Sequence, residues 1–268
     1  MRGSSGLRLD DPRLLATAAM LVFAGALWIA VGSVMGAADF WLIELCRAGF
    51  SDPAPAEATR LPGLSARLIL ETWAMWTLMM SAMMLPSTGA TLAAFADVAR
   101  IRATGAALAA RVALFLGGYL LVWAGFSLIA ALAQLGLRGG DYFSLDGAVA
   151  GPLAGGALLL AAGLWQLAPI KQSCLVKCRQ PMVFLMSAWR PGALGAAAIG
   201  LRHGVHCLGC CALLMALMFV FGAMNLWWMA AIALYCIAEK LLPGAESWGR
   251  AAGLLMLGAG AAMIGTQI

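Results

Sequence analysis

The chain has 268 residues, of which 63% are hydrophobic and only 11% are charged, and its formal net charge is +5. Soluble globular domains are about 45–50% apolar and about 25% charged, so this composition excludes a soluble enzyme, a disordered protein and a disulfide-rich secreted scaffold. The sequence instead predicts an all-α fold, a polytopic membrane helix bundle whose partner is the lipid bilayer, and no nucleic-acid partner is expected.

Long uncharged runs predict about seven transmembrane helices, since each crossing needs about 20 apolar residues. A cytoplasmic tail, 1–13, precedes the first run. That run is longer than the apolar region of a signal peptide, about 7–15 residues, and it is therefore predicted to be a retained anchor. Pro86 is expected to kink the second span because proline lacks the helical N–H. The first four spans are 14–38, 72–96, 112–137 and 147–170.

The later runs complete the predicted bundle. The uncharged run 203–238 would extend about 54 Å as one helix, which is too long for a single crossing. It is predicted to turn between Gly222 and Asn225, which gives a fifth span at 203–224 and a sixth at 225–242. A seventh span follows at 251–268, so residues 14–268 are predicted to form one transmembrane domain.

The distribution of lysine and arginine predicts the orientation. With the N-terminus in the cytoplasm, 13 of these residues lie on the cytoplasmic side and 4 on the opposite side. Positive charges favour cytoplasmic loops, so this bias supports an odd number of spans. Segment 39–67 is then predicted to be an extracytoplasmic loop, and segment 171–202 a cytoplasmic loop that contains cysteines.

Metal-ligand chemistry is concentrated in nine residues of the fifth predicted span. On a helix their side chains fall within an arc of about 140°. Thiolate and imidazole groups suit Cu(I), Zn(II) or iron rather than magnesium or calcium. The alternative is that the cysteines are small buried packing residues. The candidate ligands are His203, His206, Cys207, Cys210 and Cys211.

Further candidate ligands come from neighbouring segments. Cys174 and Cys178 lie just upstream, and the sixth span returns Cys236 and Glu239 to a similar depth. On the cytoplasmic side thiols stay reduced, which favours metal binding or redox chemistry over structural disulfides. Cys46 is isolated and is expected to have no role in the site.

A run of methionines in the second span is a possible additional site. Met79, Met80, Met83 and Met84 form two neighbouring stripes on the helix. Thioethers are soft ligands that suit Cu(I), but methionine also fills gaps between helices. The stripes therefore have two interpretations, a metal relay and ordinary packing.

Several motifs between about residues 70 and 250 resemble a bacterial family described as predicted metal-binding integral membrane proteins, a domain of unknown function. This resemblance implies metal binding and a multi-pass location in the bacterial inner membrane, but no particular reaction. The motifs are Ala82-Met83-Met84-Leu85-Pro86, Cys174-Leu-Val-Lys-Cys178, Gly200-Leu-Arg202-His203-Gly204, Cys207-Leu-Gly-Cys210-Cys211, Gly222-Ala-Met224-Asn225 with the following Trp227-Trp228, and Glu239-Lys240.

Together these features predict a membrane protein that binds a soft transition metal near the cytoplasmic face. Cu(I) is favoured, with zinc or iron as alternatives. The expected role is metal handling: transport, sequestration or delivery to a metallochaperone or metalloenzyme partner. The alternatives are a membrane thiol or quinone oxidoreductase, a metal-dependent membrane oxidase, and a scaffold with a structural Cys/His site. The chain has no Ser–His–Asp arrangement and no nucleotide-binding glycine loop, so catalysis is the less expected role.

Overall fold

The structure is a computed structural model that describes residues 20–22, 24–31, 33, 65–136, 151–222, 225–242 and 244–266. Regular secondary structure in these ranges is helical throughout, which confirms the predicted all-α class. The predicted tail 1–13, Cys46 and nearly all of the predicted loop 39–67 lie outside the described residues.

The described ranges contain eleven α-helices. In chain order they are α1 (Met20–Val31), α2 (Ala66–Met84), α3 (Gly89–Ala99), α4 (Gly105–Gly136), α5 (Pro152–Leu167), α6 (Pro169–Arg179), α7 (Pro181–Ala188), α8 (Gly192–Ala216), α9 (Met218–Phe221), α10 (Leu226–Leu241) and α11 (Ala245–Gly265).

The second predicted span is broken in its middle, as the proline predicted. Helix α2 begins at Ser65, whose side chain accepts a hydrogen bond from the Leu68 N–H, a typical N-cap. After Leu85 a short 3₁₀ helix, Pro86–Thr88, leads into α3. The axes on either side of the break differ by 44°. The missing N–H of Pro86 explains why the bend falls there.

Helices α4 and α8 pack with their backbones almost in contact. A Cβ atom added to Gly200 would lie 1.9 Å from the Phe115 carbonyl oxygen, and one on Gly118 would lie 2.3 Å from that of Ala197. Only glycine fits at such positions, and small residues are typical of closely packed helices in membranes. This contact fixes α8, the helix that carries three of the seven cysteines, against α4.

A second close pair is formed by α5 and α11. Each helix uses two glycines seven residues apart, Gly156 and Gly163 on α5, and Gly253 and Gly260 on α11. A Cβ on Gly163 would lie 2.8 Å from the Gly253 carbonyl oxygen, and one on Gly260 would lie 2.7 Å from that of Gly156. Spacing by two helical turns keeps both glycines of a helix on the same face.

The sequence predicts seven spans, but the length and composition of the helices in the described ranges support fewer. Two helices, Gly105–Gly136 and Gly192–Phe221, are long and apolar enough to cross a membrane. Two bent pairs bring the number to four if each pair is one span: Ala66–Met84 with Pro86–Ala99, and Leu153–Leu167 with Pro169–Arg179, which bend by 44° and 63°. Prolines divide these runs, and α10 has only 16 residues.

The segment 171–202, which the sequence predicted to be a loop, is largely helical. It contains most of α6, all of α7 and the start of α8. Pro169 and Pro181 stand at the first positions of α6 and α7, where the missing N–H has no intrahelical partner to lose. Because Cys174 and Cys178 lie on one helix, they are one turn apart instead of free to move in a loop.

Candidate metal centre

Five cysteines meet inside the bundle and are called here the thiol cluster: Cys178, Cys207, Cys210, Cys211 and Cys236. None of their side chains is more than 7% exposed, and all five are free thiols. The sulfur atoms of Cys210 and Cys211 are 3.3 Å apart. Cys210 also contacts Cys178 and Cys207, and Cys211 contacts Cys236. Three helices therefore contribute thiols to one buried group.

Helical periodicity explains how each helix directs its thiols inward. On α8, Cys207 is followed by Cys210 and Cys211 at the three- and four-residue spacings of a single helix face. On α10, Cys236 belongs to the buried face that also includes Met229 and Ala233. These two helices and α6 surround the same interior space.

A lysine lies against the cluster. Lys240, one turn after Cys236 on α10, is 6% exposed. Its ammonium donates hydrogen bonds to the Cys207 sulfur at 3.1 Å and to the Ser87 hydroxyl at 2.8 Å. The carboxylates that form ion pairs in the described ranges pair with other residues. A buried charge without a counter-charge is costly, so the position of Lys240 suits a negatively charged partner such as a metal–thiolate complex.

A tyrosine closes the cluster on the side of α2. The Tyr119 hydroxyl donates to the Met84 carbonyl oxygen at 3.0 Å and lies 3.2 Å from the Cys207 sulfur. The Tyr119 side chain is fully buried. This contact connects α4, α2 and α8 and places the end of the methionine run directly beside the thiols.

The Glu239 carboxylate is occupied by a lysine and two hydrogen-bond donors. It forms a buried ion pair with Lys171 through one carboxylate oxygen, which also accepts hydrogen bonds from Gln166 and Tyr235. Lys171 also donates to the Gln166 side-chain oxygen at 2.6 Å. The pair connects α6 to α10, the two helices that bring Cys178 and Cys236 to the cluster. Its role in the geometry is therefore to position these helices.

His203 lies one turn before Cys207 and has separate contacts. One ring nitrogen, Nε2, is 2.8 Å from the Thr88 hydroxyl, and the other, Nδ1, is buried without a hydrogen-bond partner. The ring stacks on Phe115 and Tyr119. Its unpartnered nitrogen is available to a ligand, but the imidazole is not in contact with the thiols.

Two other predicted ligands stay outside the cluster. His206 is only partly buried and meets Phe184 edge to face. Cys174 is half-buried, and its sulfur packs on the backbone of α8 at Gly209, 2.7 Å from where a Cβ would be. By contrast, Met79, Met80, Met83 and Met84 are all buried in the core.

The sequence reasoning missed Tyr119, Ser87 and Lys240 as neighbours of the thiols. Lys240 had a usable signal, because a lysine four residues after a cysteine in an apolar helix is a functional candidate by itself. Tyr119 and Ser87 had none, since their approach depends on how α4 and the 3₁₀ helix pack on α8.

The donor atoms of the thiol cluster suit a soft metal, but they are not arranged as a preformed metal site. No group of three or more His, Cys, Asp or Glu side chains in the described ranges is arranged around a common position for a metal ion. The thiols instead contact one another directly. Soft thiolates select Cu(I) and other soft ions, and one buried ammonium stands beside them. Binding would therefore require the sulfur atoms to separate around the ion.

Comparison with protein families matches residues 73–263, more than two thirds of the chain, to the family model described as PpoB2: Copper chaperone. The matched range contains the whole thiol cluster, Tyr119 and Lys240. No curated protein and no solved structure matches the chain.

Proposed function

Because the chain belongs to this copper chaperone family, we propose that it is an integral membrane protein that binds Cu(I) through its thiol cluster. Its role is to hold copper and pass it to a membrane partner. The observation that carries the proposal is the convergence of five buried, free thiols from α6, α8 and α10 beside Lys240. Such a group is a suitable receiver for a soft ion.

The charge of the cluster favours a monovalent ion. A Cu(I) ion held by two thiolates carries one net negative charge, which the Lys240 ammonium neutralises. A Zn(II) ion with four thiolates carries two net negative charges. Lys240 can neutralise one of these charges, and the other stays uncompensated in an apolar interior. Since uncompensated buried charge is expensive, the site favours Cu(I) over Zn(II), although softness alone permits both.

Membrane integration is supported by the apolar outer surface of the long helices. Leu121 and Ile129 on α4, and Leu254 and Leu255 on α11, are large apolar side chains that are mostly exposed. Large apolar side chains exposed along long helices are suited to contact with lipid or with another protein. Seven crossings with a cytoplasmic N-terminus are part of the proposal and rest on the sequence pattern described above.

A thiol oxidoreductase is the second candidate, since Cys210 and Cys211 are 3.3 Å apart at sulfur. Their Cα atoms, being adjacent, are about 3.8 Å apart, whereas disulfides usually need about 4.4–6.8 Å. A disulfide between them would distort α8. A redox function would therefore need another pair of cysteines. Cys178 and Cys210 are in contact and form one such pair.

The test is metal binding by protein purified anaerobically in detergent with reduced thiols. We expect tight binding of Cu(I), and loss of most of it in Cys207→Ser/Cys210→Ser. Cys174→Ser is the matched control, because this thiol lies one turn from Cys178 but outside the cluster, and it should retain full binding. Size-exclusion behaviour checks that each variant folds.

Two outcomes would contradict the proposal. Full Cu(I) content in the double variant would show that the thiol cluster is packing. Absence of bound Cu(I), together with a disulfide that forms and is reduced reversibly, would favour the oxidoreductase.

A further inference from the structure

Buried methionines on two helical segments share faces with the cysteines of the thiol cluster. On α8 and its continuation α9, Met215 and Met218 lie within about 40° of Cys211 around the helix axis. On α10, Met229 is two turns before Cys236 and within about 20° of it. Two separate helices therefore carry methionines on the same face as their cysteines.

Helix α2 contributes three more methionines to the same interior. Met79, Met80 and Met83 are at most 2% exposed, as are Met215, Met218 and Met229. All six belong to one continuous core, and we call them the methionine column. Only the α2 members are part of the sequence motif described above, and those on α8–α10 come from separate parts of the chain.

Contacts at two levels show that the three helices are in register. At the thiol end, Tyr119 bridges the Met84 carbonyl and the Cys207 sulfur, and Cys211 contacts Cys236. At the other end, Trp76 meets Phe219 with ring centroids 5.0 Å apart, and Phe221 stacks on Trp228 at 4.1 Å.

The methionines lie along the helices between the two levels. Positions 76 and 84, 211 and 219, and 228 and 236 are each eight residues apart. Eight residues of α-helix rise about 12 Å. All six methionines fall within these three intervals, so they occupy the interior between the thiol cluster and the aromatic end.

We propose that the methionine column is a path for Cu(I) between the aromatic end formed by Trp76 and Phe219 and the thiol cluster. Thioethers are neutral soft ligands, so they bind Cu(I) without adding buried negative charge. Copper stays Cu(I) throughout, and each step replaces one sulfur ligand by the next. Thiolates bind the ion more strongly, which makes the cluster the end of the path. The inference rests on the proposed Cu(I) function.

The test is methionine-methyl NMR of the full chain in detergent, labelled with [methyl-¹³C]methionine and titrated anaerobically with Ag(I), a redox-inert substitute for Cu(I). Single Met→Leu variants assign the signals, and such replacements usually cost below about 1.5 kcal/mol. Once the thiols are saturated, further Ag(I) should shift the signals of the methionine column. Met182 and Met186 are the internal controls, because they are 50% and 81% exposed and lie outside the column.

The outcomes separate this inference from the proposed function. If the thiols bind Ag(I) but the column signals shift no more than those of Met182 and Met186, the path is wrong and the methionines are packing residues. If thiol titration shows no Ag(I) or Cu(I) on the cysteines, the proposed function itself fails.

Discussion

At the scale of single residues, the identity of a ligand depends on what surrounds it. Cys174 and Cys178 are identical thiols one turn apart on α6, yet Cys178 enters the thiol cluster while Cys174 packs on Gly209. His203 and His206 are three residues apart, and both have aromatic neighbours rather than sulfur. Their spacing in the sequence identified these residues as one group of candidate ligands. The burial of each side chain and the direction in which it points distinguish the members of that group.

The first prediction concerns the lysine of the site. Lys240→Met removes the ammonium beside the Cys207 sulfur and should weaken Cu(I) binding at least about tenfold, or about 1.4 kcal/mol. The reason is that the copper–thiolate complex then carries an uncompensated negative charge in an apolar interior. Competition with a colorimetric Cu(I) chelator measures the affinity.

Lys240→Arg is the control for charge, and it should retain more affinity than Lys240→Met because it remains cationic. Arginine is planar and longer, so some loss is expected from geometry alone. Equal affinities for wild type and Lys240→Met would mean that the lysine does not balance the charge of the bound metal.

At the scale of the helices, two kinds of contact hold the site together. Glycines bring α4 against α8, and the buried Lys171–Glu239 pair connects α6 with α10. The ion pair is not evidence of high stability, because desolvation offsets much of the attraction. It does specify which faces of α6 and α10 meet, and those faces carry Cys178 and Cys236.

The second prediction tests the close packing of α4 and α8. Gly200→Ala places a methyl group 1.9 Å from the Phe115 carbonyl oxygen, so the two backbones must separate. We expect a loss of about 1–3 kcal/mol, typical of overpacking, and weaker Cu(I) binding because α8 carries three of the thiols. Thermal unfolding in detergent measures the stability.

Gly117→Ala is the matched control on α4, since nothing lies within 4 Å of the added Cβ atom. Alanine is the better helix former by up to about 1 kcal/mol, so this variant should be neutral or slightly stabilised. If Gly200→Ala behaved like Gly117→Ala, the close contact between α4 and α8 would not exist in the protein.

At the scale of the whole molecule, the bundle places a polar, sulfur-rich centre inside an apolar exterior. The thiol cluster, Lys240 and the Lys171–Glu239 pair are buried, while large apolar side chains such as Leu121 and Leu255 face outward. Charged residues inside membrane helices usually mark function, which agrees with the proposed copper site.

The third prediction concerns topology. The proposed topology places 13 positive residues on the cytoplasmic side and 4 on the other, so reporter fusions after residue 105 should give a cytoplasmic signal, and fusions after residue 145 an extracytoplasmic one. The two positions flank α4, which is long enough to cross the membrane. The same signal from both fusions would contradict the proposed crossing of α4 and the numbering of spans before it.

The sequence by itself determined the helical class, the break at Pro86 and the concentration of ligand chemistry in the Cys207–Cys211 region. These properties depend on composition, on the missing N–H of proline and on helical periodicity, all of which are local. The sequence also predicted seven long spans, for which the described ranges contain two to four candidates, and a cytoplasmic loop at 171–202, which is largely helical. Proline is tolerated at the first position of a helix, so the prolines in these segments are compatible with short helices. Hydropathy alone does not distinguish short helices from loops or from helices that cross the whole membrane.

Only the tertiary structure decided which candidates meet. Cys178 and Cys236 join the cysteines of α8 because the glycine contacts and the Lys171–Glu239 pair fix how α6, α8 and α10 lie together. The same packing turns Cys174 toward Gly209 and His206 toward Phe184, pairs Glu239 with Lys171, and brings Lys240 and Tyr119 to the thiols. These contacts join residues far apart in the chain, such as Tyr119 and Cys207, whose sequence separation is 88 residues. Periodicity within one helix carries no information about such distances, because they depend on how neighbouring helices rotate and approach.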